Sequence, residues 1–162
     1  MTPKRLAATA VLLAIPFVAI SLSLNAATPE DAPLPMQRYS ASEIAALAAA
    51  TAGNTGVQMT KLVGDPTKPG LYTVRVAIGA HTQARPHIHR DNRSVTVVSG
   101  TWQMGYGAQF DEKALKSLPP GSVYTEPAGQ AHFSQTGDDP VVILVTGYGP
   151  SDTKFVTDAP KS

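Results

Sequence analysis

The chain has 162 residues, of which 43% are apolar and 15% are charged, and its formal net charge is +1. This balance supports one folded domain with an ordinary core. It argues against a nucleic-acid-binding protein, which needs an excess of basic residues, and against a disordered chain, which has a low apolar content. Cysteine is absent, so disulfides and thiolate metal ligands are excluded, and any metal site must use nitrogen and oxygen donors.

The first residues have the pattern of an export signal. Lys4 and Arg5 precede an uncharged stretch at residues 6–24, and small residues follow it. This arrangement predicts a secretory signal peptide over residues 1–26, so we expect an exported, periplasmic protein. Because nineteen uncharged residues almost suffice to cross a bilayer, an uncleaved membrane anchor is the alternative.

A linker and one short helix follow. Residues 27–39 contain three prolines among small and acidic residues, which is typical of an extended linker. Ser40 and Glu43 then form a capping-box pattern before an alanine-rich run, and Gly53 is a typical residue to end that run. We therefore predict a helix over residues 40–53.

The chain beyond residue 56 has the alternating pattern of β-strands. Apolar residues occupy every second position of residues 72–78, and the positions between them are polar or small, which predicts a half-buried strand. Six further short strands are predicted between clusters of Gly, Pro and Asp, at residues 57–63, 94–99, 101–105, 122–126, 131–135 and 141–147. So many short strands predict an all-β sandwich or barrel.

A helical turn is predicted to interrupt the strands. Asp111 is a typical N-cap residue, and the run at residues 110–118 ends at a Pro-Pro-Gly sequence that stops a helix. We assign residues 54–157 to one barrel domain and expect residues 158–162 to form a frayed tail.

Three histidines carry the candidate chemistry. His87 and His89 are two residues apart, and because side chains alternate along a strand, both can face one ion from the same side. His132 follows a turn sequence and lies near the start of another predicted strand, from which it could complete the site. An isolated His-x-His pair is more often a surface pair or a hydrogen-bonded pair than a ligand set, so the third histidine decides the interpretation.

The histidines and the glycines around them resemble the two motifs of the cupin family. The first motif matches His87-Ile88-His89 and Gly100, and the second matches Gly121, Pro127-Ala128-Gly129 and His132. Two motifs in this order, within residues 70–148, are far more specific than either motif alone. The resemblance implies an all-β, cupin-type jelly-roll barrel in which a divalent metal ion is held by His87, His89 and His132.

One motif position departs from the family pattern. Cupins typically add a glutamate of the first motif to the three histidines, and its place is taken by Arg93, which cannot ligate a cation. Three outcomes are open: three histidines alone, a substitute carboxylate from Asp91 or, as the weaker candidate, from Glu126, or a barrel without metal. We favour three histidines alone, because one ion satisfies three buried imidazoles that would otherwise each need a partner. The expected ion is iron, manganese, zinc, copper or nickel.

Further polar and aromatic residues are candidates for the border of this site. Arg85, Arg90 and Arg93 cluster around the histidines, where guanidinium groups would attract a carboxylate or an enolate, and a solvated rim is the alternative. Three aromatic residues could form apolar walls of the site or belong to the hydrophobic core: Trp102, Tyr106 and Phe133. Gln83 and Gln103 could donate or accept hydrogen bonds with substrate or water. We interpret His81 as a loop residue or a minor contributor to the pocket.

The resemblance leaves two functions open. The first is an exported, oxygen-dependent dioxygenase that acts on a small anionic or enolisable substrate, with Arg93 as the catalytic-site residue that steadies substrate charge. The second is a non-catalytic periplasmic module that binds a metal or a small ligand. No nucleic-acid partner is expected, and a membrane contact is expected only if the N-terminal segment stays uncleaved. Cupin barrels commonly pair, which implies a homodimer.

Overall fold

The computed structural model describes residues 34–50 and 56–156. The predicted signal peptide, most of the predicted linker and the predicted tail lie outside the described residues, as do residues 51–55. No helix in the described ranges is long and apolar enough to cross a membrane.

Ten strands within the described part of the chain form two antiparallel sheets of five strands each. The strands are β1 Val57–Val63, β2 Gly70–Ile78, β3 Gln83–Ile88, β4 Arg93–Ser99, β5 Trp102–Tyr106, β6 Lys116–Leu118, β7 Val123–Glu126, β8 His132–Thr136, β9 Val141–Gly149 and β10 Lys154–Phe155. The first sheet has the order β1-β2-β9-β4-β7, and the second has the order β10-β3-β8-β5-β6. This arrangement confirms the predicted all-β class.

The core lies between the two sheets and follows from the alternation of apolar side chains. In β2 every second residue is buried and the residues between them are half-buried, as predicted. The first sheet supplies the larger part of the core, with Tyr72, Val74, Val76, Ile78, Val95, Val97, Val141, Ile143 and Val145. The second sheet supplies Trp102, Met104 and Leu118.

The one α-helix of the described residues, α1, spans Ala41–Ala50 and begins at the predicted capping box. The Ser40 backbone N–H donates to the Glu43 carboxylate at 2.7 Å, and the Glu43 backbone N–H donates to Ser40 Oγ at 3.3 Å. Two backbone donors that no helical carbonyl can reach are thereby satisfied, which confirms the predicted start. Ile44 of α1 and Leu62 of β1 border the same shallow groove, so the helix lies beside the first sheet.

The region after β5 differs in part from the prediction. Asp111 caps a single 3-10 turn at Glu112–Ala114, as predicted, and its side chain accepts a hydrogen bond from the Lys113 backbone N–H at 2.9 Å. The prediction of a helical turn is wrong for residues 116–118, which form β6. Leu118 pairs with Trp102 of β5 and buries its side chain in the core, so a distant partner overrides the local helical pattern.

Two strands of the second sheet have no strong sequence signal. β3 contains Pro86 and a bulge between Ala84 and His87, and both interrupt an alternating pattern. β10 has two residues and pairs antiparallel with β3, so that Phe155 lies opposite His87. These two strands carry several of the residues that surround the histidines.

Candidate metal centre

The second sheet brings the predicted histidines together. His87 on β3 and His132 at the start of β8 are direct partners in the antiparallel pairing, and His89 lies just after the end of β3. One imidazole nitrogen from each ring lies within 4.8 Å of the other two. His89 and His132 are 4% and 2% exposed, and His87 is half-buried. The structure therefore places all three predicted ligands around one point, in an arrangement that could hold a metal ion.

Backbone carbonyl groups orient all three imidazole rings. Each ring directs Nδ1 at a carbonyl oxygen, at 2.7 Å for His87, 2.6 Å for His89 and 3.1 Å for His132. The three carbonyl groups belong, in the same order, to Arg85, Asp152 and Gln130. Because a carbonyl oxygen can only accept, Nδ1 must carry the proton, and Nε2 keeps its lone pair in the neutral ring. An oriented ring with a lone pair on Nε2 is the form that binds a metal ion.

Burial keeps these rings neutral. It lowers the pKa of His87, His89 and His132 below the usual value of 6.5, because the charged imidazolium is disfavoured away from water. The pKa of His89 falls to about 4, and the nearby positive charge of Arg93 contributes to this fall. At neutral pH all three rings are therefore unprotonated at Nε2, as metal ligands must be.

A buried carboxylate faces the same point. Glu126 ends β7 and is 6% exposed, with Oε2 3.5 Å from His89 Nε2 and Oε1 3.5 Å from His132 Nε2. Among the described residues, Glu126 Oε2 and His132 Nε2 are the buried side-chain atoms that have no hydrogen-bond partner. The Arg93 guanidinium lies 3.5 Å from Glu126 Oε2 on one side, but no donor hydrogen lies between the carboxylate and the two Nε2 atoms, and this costs free energy unless a metal ion or a proton lies there.

The surroundings of Glu126 act on its pKa in opposite directions. Burial raises the pKa above the usual 4.5, while the charge of Arg93 and a hydrogen bond from the Tyr124 hydroxyl to Oε1, 3.1 Å long, lower it. The net shift is upward, because desolvation of the carboxylate outweighs both favourable contacts. A divalent cation beside Glu126 would favour the charged carboxylate by direct attraction.

Asp91, the preferred substitute ligand, lies in a different network. Its Oδ2 accepts hydrogen bonds from the Tyr72 hydroxyl at 2.5 Å and from Arg93 Nε at 3.3 Å, and its Oδ1 accepts from Ser151 Oγ at 2.7 Å. β3 ends before Asp91, so the strand alternation on which the preference depended does not reach it. Glu126, the weaker candidate in the sequence, is the carboxylate beside the histidines.

Arg93 lies between two carboxylates. Its Nε donates to Asp91 at 3.3 Å, and its Nη1 lies 3.5 Å from Glu126 Oε2. Its Nη2 donates to Ser151 Oγ and to the carbonyl oxygen of Asp152, the latter at 3.2 Å. All three guanidinium nitrogens thus have partners within the protein. A role of Arg93 in steadying substrate charge stays a prediction, and the guanidinium is already occupied by protein groups.

Comparison with known proteins identifies the architecture. No family model matches the sequence, and no curated protein is significantly similar to it. Among solved structures, a cupin-2 domain from Rhodospirillum rubrum is 15% identical, with a TM-score of 0.53 over 64% of this chain and 67% of that chain. The chain has the cupin fold.

Two enzymes share the fold of this chain. The polyketide cyclase RemF from Streptomyces resistomycificus is 19% identical, with a TM-score of 0.51 over 65% of this chain and 75% of that chain. A DMSP lyase structure is 21% identical, with a TM-score of 0.53 over 62% of this chain and 53% of that chain. The match therefore spans about half the length of the lyase.

The three histidines open into a cavity between the sheets. Its volume is about 380 Å³, which is in the range of small-molecule sites. Apart from the three histidines and Glu126, the walls are mostly apolar, with Met59, Ile78, Trp102, Ile143 and Phe155 among them. The cavity therefore suits a small, largely apolar molecule with one end near the histidines.

The predicted border residues divide into two groups. Those that line the cavity are Arg85, Arg93, Gln83 and Trp102. Those that lie elsewhere are Arg90, Tyr106, Phe133, Gln103 and His81. Phe133 faces the other side of β8, where its ring centroid is 5.0 Å from that of Phe110, and Gln103 accepts a hydrogen bond from Gln135 at 2.7 Å. His81 has an exposed side chain before β3, as expected of a loop residue.

The segment after β9 contributes residues that the sequence analysis missed. The Asp152 carbonyl orients His89, the Asp152 carboxylate accepts a hydrogen bond from the Arg90 backbone N–H at 3.0 Å, and the Phe155 ring centroid lies 5.9 Å from that of His87. These residues lie far along the chain from the first motif and have no motif of their own. The pairing of β10 with β3 brings them to the site, and no local sequence signal marks them.

Proposed function

We propose that this cupin binds one divalent metal ion through Nε2 of His87, His89 and His132 and through a carboxylate oxygen of Glu126. The observation that carries the proposal is a pair of buried acceptors, Glu126 Oε2 and His132 Nε2, that have no hydrogen-bond partner among the described residues. A cation at this point satisfies several lone pairs at once, and imidazole and carboxylate groups are common metal ligands.

A proton is a poorer explanation of the same geometry. A protonated Glu126 could donate one hydrogen bond, to either His89 or His132, and would leave the other Nε2 without a partner. A protonated imidazole is opposed by the burial that lowers the pKa of each ring. A metal ion requires neither state and is compatible with the carbonyl groups that fix the ring tautomers.

The donor set limits the metal to a class. Three imidazole nitrogens and one carboxylate oxygen suit iron, manganese, zinc, copper or nickel, and they disfavour calcium and magnesium, which prefer oxygen ligands. When bound, the ion would supply Lewis-acid activation and a fixed point for a small substrate. The chain's own groups would hold the ring tautomers and exclude water from the apolar part of the cavity.

We extend the proposal to an oxygen-dependent dioxygenase that acts on a small anionic or enolisable substrate. It is supported by the imidazole-rich donor set and by the cavity of about 380 Å³ that adjoins it. Solved proteins of this fold include a lyase and a cyclase, so the fold by itself serves several reactions. The reaction is therefore tested separately from metal binding.

A second candidate function is binding of a metal or small ligand without turnover. Apart from the four donors, the titratable residues that line the cavity in the described part of the chain are Arg85, Arg93 and Tyr124. Arginine stays protonated in proteins, and burial raises the pKa of Tyr124 well above its usual value of 10. Beyond the four donors, the described lining therefore holds no carboxylate, histidine or lysine that could act as a general acid or base, which favours binding over acid-base catalysis.

Metal stoichiometry tests the proposed centre. Purified protein should hold one transition-metal ion per chain by elemental analysis, and chelated protein should take up the ion again in a calorimetric titration. The variants H132A and E126Q should bind the ion at least about 10-fold more weakly. The matched controls H81A and E112Q replace exposed residues outside the centre and should bind like the parent. Unchanged stoichiometry and affinity in H132A would contradict the proposal.

Oxygen consumption separates the two candidate functions. Protein loaded with each of the five candidate metals is mixed with small carboxylic acids, thiols and diketones, and dissolved oxygen is followed with an electrode. Consumption that the H132A variant lacks supports the dioxygenase. Stoichiometric metal binding without consumption for any combination supports the binding module.

We further propose that the protein is exported to the periplasm and forms a homodimer. Export is supported by the two basic residues and the uncharged stretch within residues 1–26. Dimerisation is supported by the resemblance to cupin barrels, which commonly form pairs. N-terminal sequencing of protein from its native compartment should find a first residue close to residue 27, and light scattering should give twice the mass of the processed chain. An intact N-terminus would contradict export with cleavage, and a monomer mass would contradict the dimer.

A further inference from the structure

The two arginines that line the cavity are not equivalent. Arg93 is held between Asp91 and Glu126, whereas Arg85 forms no ion pair with any residue that the structure describes. Arg85 instead lies over an aromatic ring, with its guanidinium carbon 4.9 Å from the centroid of Phe155. Stacking restricts a guanidinium without neutralising it. Arg85 is thus an exposed, partly ordered cation at the edge of the cavity, without an acidic partner among the described residues.

The backbone sets Arg85 beside the candidate metal centre. It precedes His87 by two positions on β3, and its carbonyl oxygen accepts the hydrogen bond from His87 Nδ1 at 2.7 Å. The bulge between Ala84 and His87 alters the alternation locally, so that both Ala84 and Arg85 line the cavity. Phe155 lies close to both groups, 4.9 Å from the Arg85 guanidinium and 5.9 Å from the His87 ring. The cation therefore lies near the histidines.

Apolar side chains form most of the remaining wall. Met59, Ile78, Trp102 and Ile143 line the same cavity. An apolar wall disfavours ligands that carry many polar groups, because each polar group buried without a partner costs free energy. A single guanidinium without a partner favours a ligand with one anionic group, since a carboxylate matches its two parallel N–H donors.

We infer that the cavity binds a small organic anion whose single carboxylate pairs with Arg85 and whose apolar body contacts Met59, Trp102 and Phe155. The inference rests on the proposed function, because it names the ligand class of the same cavity. The ion pair with Arg85 does not require a metal ion. In this arrangement Arg85 determines specificity, because it distinguishes a carboxylate from a neutral molecule of the same shape.

The single tryptophan of the chain gives a direct readout. Trp102 lines the cavity, so its indole N–H signal in a proton–nitrogen NMR spectrum should report on occupancy. Hexanoate and hexanamide are suitable probes, because they share an apolar body and differ in charge. Hexanoate should shift the Trp102 signal and bind about 10-fold more tightly than hexanamide.

Two arginine variants test the assignment to Arg85. R85Q should weaken hexanoate binding about 10-fold and leave hexanamide binding unchanged, because glutamine keeps polar groups but loses the charge. The matched control R90Q replaces an exposed arginine outside the cavity and should bind both probes like the parent. Equal affinities for the two probes in the parent, or unchanged hexanoate binding in R85Q, would overturn the inference.

Titrations with and without metal separate this inference from the proposed function. If chelated protein still prefers hexanoate and R85Q loses that preference, the inference holds even where metal binding fails. If the preference disappears on chelation and R85Q behaves like the parent, the carboxylate binds the ion directly. That result would support the metal centre and overturn the role of Arg85.

Discussion

At the scale of single residues, Arg93 occupies the position where the cupin pattern has a glutamate, and the carboxylate of Glu126 lies beside it. They are direct partners in the pairing of β4 with β7, so the guanidinium at the motif position faces a carboxylate on the next strand. Under the proposed function, the carboxylate ligand therefore comes from β7 instead of β4. The guanidinium that replaces it holds Glu126 and Asp91 together in the same buried region.

Replacing Arg93 by glutamine should strongly destabilise the fold. The side chains of Asp91 and Glu126 are 5% and 8% exposed, and in metal-free protein loss of the guanidinium leaves both carboxylates without their cation. We expect the free energy of unfolding to fall by about 3–5 kcal/mol in urea denaturation. The control K61Q removes an exposed ion pair with Asp65 and should cost far less, because exposed ion pairs contribute little to stability. A loss of the same size in both variants would contradict the buried role of Arg93.

The Tyr72 hydroxyl should stabilise the fold in a manner that depends on pH. Burial raises the pKa of Asp91, but hydrogen bonds from Tyr72 and Ser151 and the charge of Arg93 outweigh it and hold the pKa below its usual 3.8. An acid whose pKa is lowered in the folded state contributes stability above its unfolded pKa. That contribution is lost as the pH falls through the folded pKa.

The variant Y72F tests this link between Tyr72 and Asp91. It removes the donor that lies 2.5 Å from the Asp91 carboxylate, so we expect a loss of about 1.5–3 kcal/mol at neutral pH in urea denaturation. The loss should shrink as the pH falls from 3.8 through the lowered pKa of folded Asp91, where the carboxylate becomes protonated. Y148F, which changes an exposed tyrosine, is the control. An equal loss for Y72F at neutral pH and at a pH where Asp91 is protonated would refute the charge-dependent contribution.

At the scale of elements, local alternation accounts for the strands that can be predicted, and distant pairing accounts for those that cannot. Apolar alternation predicts β2 and β9, because each has one face in the core. β6 has three residues and forms a strand through its pairing with β5. β3 carries Pro86 at its bulge, and β10 is too short to have a pattern.

The same distinction applies to the candidate site. The three histidines can be predicted because two spaced motifs mark them along the chain. The choice of Glu126 over Asp91 cannot be predicted from spacing, because it depends on where β3 ends and on the pairing that sets Glu126 opposite Arg93. The role of the Asp152 carbonyl likewise cannot be predicted from the sequence, since any residue type supplies a carbonyl group.

Removal of the C-terminal strand should weaken the metal centre. A chain that ends at residue 151 lacks the Asp152 carbonyl that orients His89 and lacks β10, which pairs with β3 at His87. We expect metal affinity to fall about 10- to 100-fold in competition with a chelator, because groups that orient metal ligands contribute that much. A chain that ends at residue 156 keeps both contacts and serves as the control. Equal affinities for the two truncations would argue against the orienting role.

At the scale of the whole molecule, the buried histidines link folding to pH. In the unfolded chain a histidine takes up a proton near pH 6.5, whereas folded His89 does so near pH 4. The unfolded state therefore binds more protons between these values, so the metal-free protein should lose stability as the pH falls from 6.5 toward 4. Thermal unfolding of chelated protein across this range measures the loss, and H89N should reduce its size. A flat profile would contradict the lowered pKa values.

The four proposed donors belong to different layers of the barrel. His87 and His132 lie on strands of the second sheet, whereas Glu126 ends a strand of the first. A bound ion would therefore cross-link the two layers at one rim. Its removal should speed the exchange of backbone amide hydrogens with heavy water in β7 and β8, and the amides of β1 should keep their rates. Metal supply would then regulate how readily this rim opens, as well as whether the site is occupied.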